Sequence, residues 1–324
     1  MIDKILSKMK VEFERLEEFP PDIIRAKQLR DGLHRMRLDP DEHAGFKLPW
    51  MGLDFKFAND LNIVTGIPGS GKSVWLDNVV IYTMMKHGRK WAIFSPEHTP
   101  ETHMRQLLEI SYGGRFDGRF GSKKPLAEMI DQFLDIIQPK LFMIRPEKEE
   151  DLCIESILAK IEYLAENHGV DAFVLDPYNE FAYTRPRTMS ETEYVSLFLS
   201  RVRKLITNHG KMSAWIVAHP TKLHKNDKGI YSPPSAYDIA GSAHFFNKAD
   251  HIICVHREKD RDKNPDNIVD LIVQKVKRSN VGTLGSYQLK FLLQSSRYAD
   301  IPRYTCEEAQ APSTGGEYKM PYKD

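Results

Sequence analysis

The sequence predicts an α/β protein with a mainly parallel central sheet flanked by helices and preceded by a helical arm and linker. Three observations carry this. From Leu61 onward, short apolar runs of strand length alternate with segments of helical spacing, the signature of a buried parallel sheet. A glycine-rich turn, GIPGSGKS from Gly66 to Ser73, sits between the first such run and the first such helix. Upstream of it, residues 1 to 45 contain only two short amphipathic stretches, too little apolar surface to close a core of their own.

Residues 2–16 place Ile2, Ile5, Leu6, Met9, Phe13 and Leu16 on one helical face with Lys and Glu between them. Pro20 and Pro21 end that helix, Asp22 caps a second one predicted through about Leu33, and Leu38 to Gly45 is polar and turn-rich. The first helix packs either on its own body or on a neighbouring subunit; its pattern leaves both open. In the body, LNIVTG (61–66) is a strand, Ser73 to His87 a helix, WAIFS (91–95) a strand and Pro100 to Tyr112 a helix. KLFMI (140–144) and DAFVLD (171–176) are strands on either side of a helix from Leu152 to Asn167, and another helix spans about Thr192 to Asn208. SAWIVAH (213–219), HIICVH (251–256) and IVDLIVQKV (268–276) are further strands. The domain so defined covers 46–299, and 300–324, with Ser-Thr-Gly-Gly at 313–316, reads as a disordered tail.

Composition narrows the partners. Lys and Arg total 46 against 45 Asp and Glu, so no global basic field exists and any nucleic-acid contact must come from local patches. Cys153, Cys254 and Cys306 are too few and too scattered for a disulfide framework or a Cys-rich zinc site, which fits a reducing cytosol. His244, His251 and His256 with Cys254 match no zinc spacing. With no run of about 18 apolar residues to span a bilayer, the expectation is a soluble cytoplasmic protein without a membrane partner.

The turn carries the chemistry. GIPGSGKS satisfies G-x-x-x-x-G-K-[ST] in its required strand-turn-helix setting. Gly66, Gly69 and Gly71, with Pro68 and Ser70 between them, let backbone N–H groups turn around a phosphate, and the following helix aims its positive end at it. Lys72 would reach the β and γ phosphates of ATP or another NTP, and the Ser73 hydroxyl would take a place on Mg²⁺. Hydrolysis also needs a carboxylate for the metal's shell, which Asp176 supplies at the end of an apolar strand, unless it is a helix cap. It needs a group that activates water, which Glu97 offers beyond the strand following the P-loop helix, unless it merely opens the next helix in solvent. His219 ends a further strand; its imidazole would hydrogen-bond the γ phosphate, or is an ordinary strand-end histidine.

The runs GFKLPWMGLDFKFANDLNIVTGIPGSGKS, FSPEH, FVLDPYNE, IVAHPTK, DIAGSAHFFNKADHIICVHRE and QKVKRSNVGTLGSYQLKF resemble the RecA-like motor domain of DnaB-type replicative helicases, in particular the phage primase-helicase and mitochondrial Twinkle branch. The resemblance spans about residues 20 to 295. It implies a homo-oligomer, usually a hexameric ring, that encircles one DNA strand and translocates by ATP hydrolysis at subunit interfaces. It also implies forked DNA as substrate, a replisome's primase or polymerase as partner, and the cytoplasm, a phage-infected host included. It assigns phosphate binding to Lys72, the metal-binding hydroxyl to Ser73, catalysis to Glu97, the metal-shell aspartate to Asp176 and γ phosphate sensing to His219. Relatives carry Lys-x-Arg after the last core strand, where the arginine enters the neighbour's site. Here the text is Lys275, Val276, Lys277, Arg278, so counting selects Lys277 while guanidinium chemistry favours Arg278.

Two loops suit a DNA backbone. HPTKLHKNDKG places Lys222, Lys225 and Lys228 at three-residue steps in a turn-rich segment on the P-loop edge, where they meet phosphates or are simply solvated. FAYTRPRTMSE offers Tyr183, Arg185 and Arg187, an aromatic and two guanidinium groups for single-stranded bases and phosphates. Within the same fold, a recombinase filament on single-stranded DNA and a slow nucleotide-dependent switch are the competing functions. No room exists for the primase module of primase-helicases, so the expectation is a helicase alone or a fragment beginning at Met1.

Overall fold

The computed structural model describes residues 23–39, 45–221, 223, 225, 231–239, 242–258, 266–278 and 280–301. They divide into two compact units at Ala44/Gly45. The first contains a 3₁₀ turn, Ala26–Leu29, and helix α1, Arg30–Leu38. This helix runs past the expected end near Leu33 to Leu38, since the chain meets no proline before Pro40. The predicted helix at 2–16 lies outside the described residues.

The second unit is built on a nine-stranded sheet. A short antiparallel pair, β1 (Phe46–Lys47) and β2 (Lys56–Phe57), precedes it. The sheet strands are β3 (Leu61–Thr65), β4 (Trp91–Phe94), β5 (Leu141–Ile144), β6 (Ala172–Leu175), β7 (Ser213–Val217), β8 (His251–His256), β9 (Ile268–Val276), β10 (Gly285–Leu292) and β11 (Arg297–Asp300). Their order is β11-β10-β9-β8-β3-β7-β6-β4-β5; the six from β8 to β5 run parallel, while β9, β10 and β11 add antiparallel on the β8 side. The helices are α2 (Lys72–His87), α3 (Pro100–Tyr112), α4 (Ala127–Ile137), α5 (Ile154–His168), α6 (Glu191–His209) and α7 (Ser242–Lys248).

Alternation along each strand feeds two cores. Trp91, Ile93, Val174, Trp215 and Val217 point to the face that packs α2, α3 and α4, through Trp75, Val79, Leu107 and Phe133. Ala92, Phe94, Phe173, Leu175 and Ile216 point to the other, against Ile157 and Ile161 of α5, Phe198 and Val202 of α6, and Phe245 of α7. The fully buried β3, β4, β6 and β7 are apolar on both faces for this reason, whereas β9 alternates buried and half-buried residues.

The sequence reading lacked α4, α7, β10 and β11. β10 and β11 form a hairpin that wraps α2: Asn78 Nδ2 donates to Ser296 O at 3.0 Å, and the Tyr298 hydroxyl donates to Gly71 O at 3.1 Å. Asp300, assigned above to the tail, belongs to β11 and accepts from the Met51 amide at 3.0 Å. Residues 302–324 lie outside the described residues.

Candidate active site

β3 leads through α2 to β4, and β7 and β6 fill the gap between those two strands. Such a reversal of winding opens a crevice at the C-terminal ends of the strands. The register aligns these ends: Val64 faces Val217, Ile216 faces Leu175, and Leu175 faces Phe94. The next residues are therefore level. Gly66–Ser73 follows β3, Glu97 follows β4, Asp176 follows β6 and His219 follows β7.

The loop from Gly66 is shaped for an anion. Gly66 has φ +149°, and a Cβ there would stand 2.1 Å from Val255 O. Gly71, at φ +97°, would push a Cβ to 2.5 Å from the Tyr298 hydroxyl. Gly71 is also the N-cap of α2 and, lacking a side chain, makes no capping bond to the helix's first N–H groups. Lys72 is buried and lies across the loop, donating from Nζ to Gly66 O at 3.0 Å and Ile67 O at 3.1 Å. Ser70 Oγ and Thr65 Oγ1 are buried with no hydrogen-bond partner among the described residues, two polar atoms beside this loop.

Asp176 is 4% exposed and its Oδ1 has no hydrogen-bond partner among the described residues. Burial raises its carboxyl to about 6, the negative charges of Glu97 and Asp77 add to the rise, and a hydrogen bond with Ser73 and the charge of Lys72 oppose it. A buried carboxylate with one orphaned oxygen beside a serine hydroxyl is a donor set that fits a hard divalent cation. His219 Nε2 lies 3.8 Å from Glu97 Oε1, and its amide donates to Asn179 Oδ1 at 3.2 Å. Burial lowers the imidazole, as does Lys72, while Glu97 pulls it up; the net shift is downward and favours the neutral ring. Lys72, Ser73, Glu97, Asp176 and His219, five residues from four segments, thus come together at one edge.

Lys275, Lys277 and Arg278 do not join them. Val276 ends β9 opposite His251, the first residue of β8, so all three sit at the N-terminal edge of the parallel strands. The five residues of β3 alone put roughly 16 Å between that edge and the P-loop. Arg278 Nη2 pairs with Asp60 Oδ1 at 2.7 Å, and Asp60 is buried. Lys277 is 59% exposed and reaches Asp250 Oδ1 at 3.4 Å, a carboxylate that Arg203 also binds. Lys275 caps the end of α7 through Phe246 O and Asn247 O and lies over the Phe246 ring. Beside them His251 is buried on Asn62, Nδ1 to Oδ1 at 2.8 Å, and burial lowers it to about 4.

Of the loop lysines, Lys225 stands over the Tyr231 ring at 4.8 Å, while Lys222 and Lys228 lie outside the described residues. Arg185 and Arg187 are exposed beyond β6, and Arg185 Nη1 donates to Met189 O at 2.7 Å. The sequence reading missed Asp77, His103, Arg145, Asn179 and Tyr298. The first carried a signal, since Asp77 lies four residues after Ser73 on the same helical face.

A glycine-rich phosphate loop, a strand-end aspartate, a glutamate on the next helical crossover and a strand-end histidine, on a sheet of this order, define a RecA-like P-loop nucleotide-binding domain. The chain belongs to the family of DnaB-like helicase C terminal domains, whose pattern matches residues 52–300. It is 33% identical over 264 residues to the Twinkle homolog protein, chloroplastic/mitochondrial, of Arabidopsis thaliana, a match covering 80% of this chain and 37% of that protein's length. Among solved structures, the ATPase domain of G40P superposes with a TM-score of 0.65 at 13% identity, covering 85% of this chain and 99% of that one. A DnaB-like replicative helicase, described with its interactions with primase, gives 0.65 at 13% identity over 93% of this chain and 72% of that one. Among the described residues no helix is long and apolar enough to cross a membrane.

Proposed function

We propose that this chain is the motor of a ring-forming replicative DNA helicase, translocating on single-stranded DNA by hydrolysing ATP at subunit interfaces. One observation supports this above the others. Lys72, Ser73, Glu97, Asp176 and His219 gather at one edge of the sheet, while the cations Lys277 and Arg278 stand at the opposite edge, out of reach of their own chain's phosphates. Cations so placed act on the site of a neighbour in a head-to-tail assembly.

In this reading Lys72 exchanges the carbonyls of Gly66 and Ile67 for β and γ phosphate oxygens, and backbone amides at the start of α2 take the rest. The Ser73 hydroxyl and Asp176 would hold Mg²⁺, which would supply positive charge to offset the negative charge developing on the phosphates. Glu97 orients the attacking water and accepts its proton. Neutral His219, within 3.8 Å of Glu97, hydrogen-bonds the γ phosphate and passes its loss to the loop that follows. Lys222, Lys225 and Lys228 of that loop, with Arg185 and Arg187, take the DNA-binding role in this reading. The partners are forked DNA, further copies of the chain and a replisome's primase or polymerase; the setting is the cytoplasm of a cell or of a phage-infected host.

The test is strand displacement on a forked duplex with Mg·ATP, with hydrolysis followed in parallel. Single-stranded DNA is expected to stimulate hydrolysis, and Glu97→Gln to bind ATP without displacing the strand. Hydrolysis indifferent to DNA, with no displacement, would return the chain to the switch reading.

A further inference from the structure

Glu97 is 42% exposed on a short loop, and its contact with the His219 ring, at 3.8 Å, is a loose one. A carboxylate so placed samples many positions, whereas orienting a water requires a fixed one. Two groups outside the phosphate site hold the loop instead.

Arg145 is the first residue beyond β5, the edge strand whose end is level with that of β4. Its Nη1 donates to Ser95 O at 3.1 Å and to His98 O at 3.0 Å, the two carbonyls that bracket Glu97. At the far end of the loop, His103 in the first turn of α3 brings Nε2 to 2.9 Å from Asp77 Oδ1, and its amide donates to Thr99 O at 3.0 Å. Asp77 belongs to α2, one turn past Ser73, and Gln106 donates to its other oxygen. Asp77 and His103 are 4% and 7% exposed, a costly burial for a polar pair whose gain is a defined geometry. The loop from Ser95 to Thr99 is therefore tied to β5 on one side and to the P-loop helix on the other.

We propose that Arg145 and His103 are positioning residues for Glu97: together they set its carboxylate against the water that attacks the γ phosphate, without touching nucleotide themselves. This rests on the reading of Glu97 as the group that orients that water.

The experiment measures ATP turnover with single-stranded DNA, and affinity by titrating a fluorescent ATP analogue. It compares wild type, Arg145→Ala, His103→Gln, Glu97→Gln and the two double variants with Glu97→Gln. Arg145→Ala and His103→Gln are expected to lower kcat by about 10- to 100-fold, the cost of a displacement near 1 Å, with affinity within about twofold of wild type. Each double variant is expected to turn over no more slowly than Glu97→Gln alone, since a brace has no effect once its carboxylate is gone. Unchanged kcat in Arg145→Ala, where Glu97→Gln is inactive, overturns the proposal and leaves the role of Glu97 standing. So does the same fold-loss in the Glu97→Gln background, the mark of a general structural effect. Normal turnover by Glu97→Gln defeats both. If His103→Gln does not fold, Arg145→Ala still decides, because Arg145 is exposed.

Discussion

Asp176 is expected to cost the nucleotide-free protein stability at neutral pH, and Asp176→Asn to recover it. Burial, with Glu97 and Asp77 nearby, raises its carboxyl from 3.8 to about 6. A rise of that size is worth about 3 kcal/mol. The sign follows from the protons: between the two values the folded chain keeps a proton that the unfolded chain has lost. Stability from this group therefore falls as pH rises from about 4 to about 6, and the full cost stands above that. Asparagine has the same shape and no charge, so in EDTA the variant should exceed wild type by up to about 3 kcal/mol at about pH 7.5, and by little at about pH 4. Denaturant unfolding at both pH values measures the difference. Wild type also loses stability on acidification, because His251, lowered to about 4 by burial, must be protonated in the unfolded chain; comparing the two proteins at one pH removes that effect. Adding Mg²⁺ with a non-hydrolysable ATP analogue should stabilise wild type more than the variant. A variant less stable at neutral pH, or a difference that ignores pH, refutes this account of the site.

Arg278→Ala strands buried Asp60 and is expected to cost about 1–3 kcal/mol in denaturant unfolding, between the values for exposed and buried pairs, whereas Lys277→Ala leaves stability within about 0.5 kcal/mol. In hydrolysis assays, mixing the inactive one of these two variants with Glu97→Gln is expected to restore turnover through interfaces that pair two intact halves; no recovery from demonstrably mixed oligomers would rule out a shared site. Gly71→Ala, forced to φ +97° with its methyl 2.5 Å from the Tyr298 hydroxyl, is expected to weaken binding of a fluorescent ATP analogue at least tenfold, roughly 1.4 kcal/mol, and wild-type affinity would show that the loop yields. Replacing Lys222, Lys225 and Lys228 together with Ala should flatten the salt dependence of single-stranded DNA binding by roughly 0.7 in log-log slope for each lost phosphate contact, with basal hydrolysis retained; an unchanged slope would make the loop ordinary surface.

Much of the domain could be read from local pattern. The helix Pro100–Tyr112 was legible to the residue, because Thr99 caps it through the Thr102 amide, Pro100 opens it and Gly113 closes it in the left-handed conformation, all short-range chemistry. The buried strands were legible because burial on both faces demands unbroken apolar runs. β10 and β11 were not: β10 has only alternate apolar residues, β11 is four residues long, and both gain their place by covering α2. The same holds within the site. Gly66 to Ser73 is recognisable because one contiguous segment must wrap a phosphate, whereas Asp77 and His103 are 26 residues apart and acquire meaning only when α2 and α3 pack side by side.

The sequence by itself determined the phosphate loop, the alternating α/β order and the candidate carboxylates, since each depends on residues close together along the chain. Between Lys277 and Arg278 it left the choice open, counting selecting Lys277 and guanidinium chemistry favouring Arg278. The tertiary structure distinguished them, giving Arg278 a buried carboxylate 2.7 Å away and leaving Lys277 59% exposed, and it set both at the edge away from their own P-loop. The physical reason is that charge pairing and desolvation depend on what the fold brings within a few ångströms, and Asp60 lies 218 residues from Arg278 along the chain.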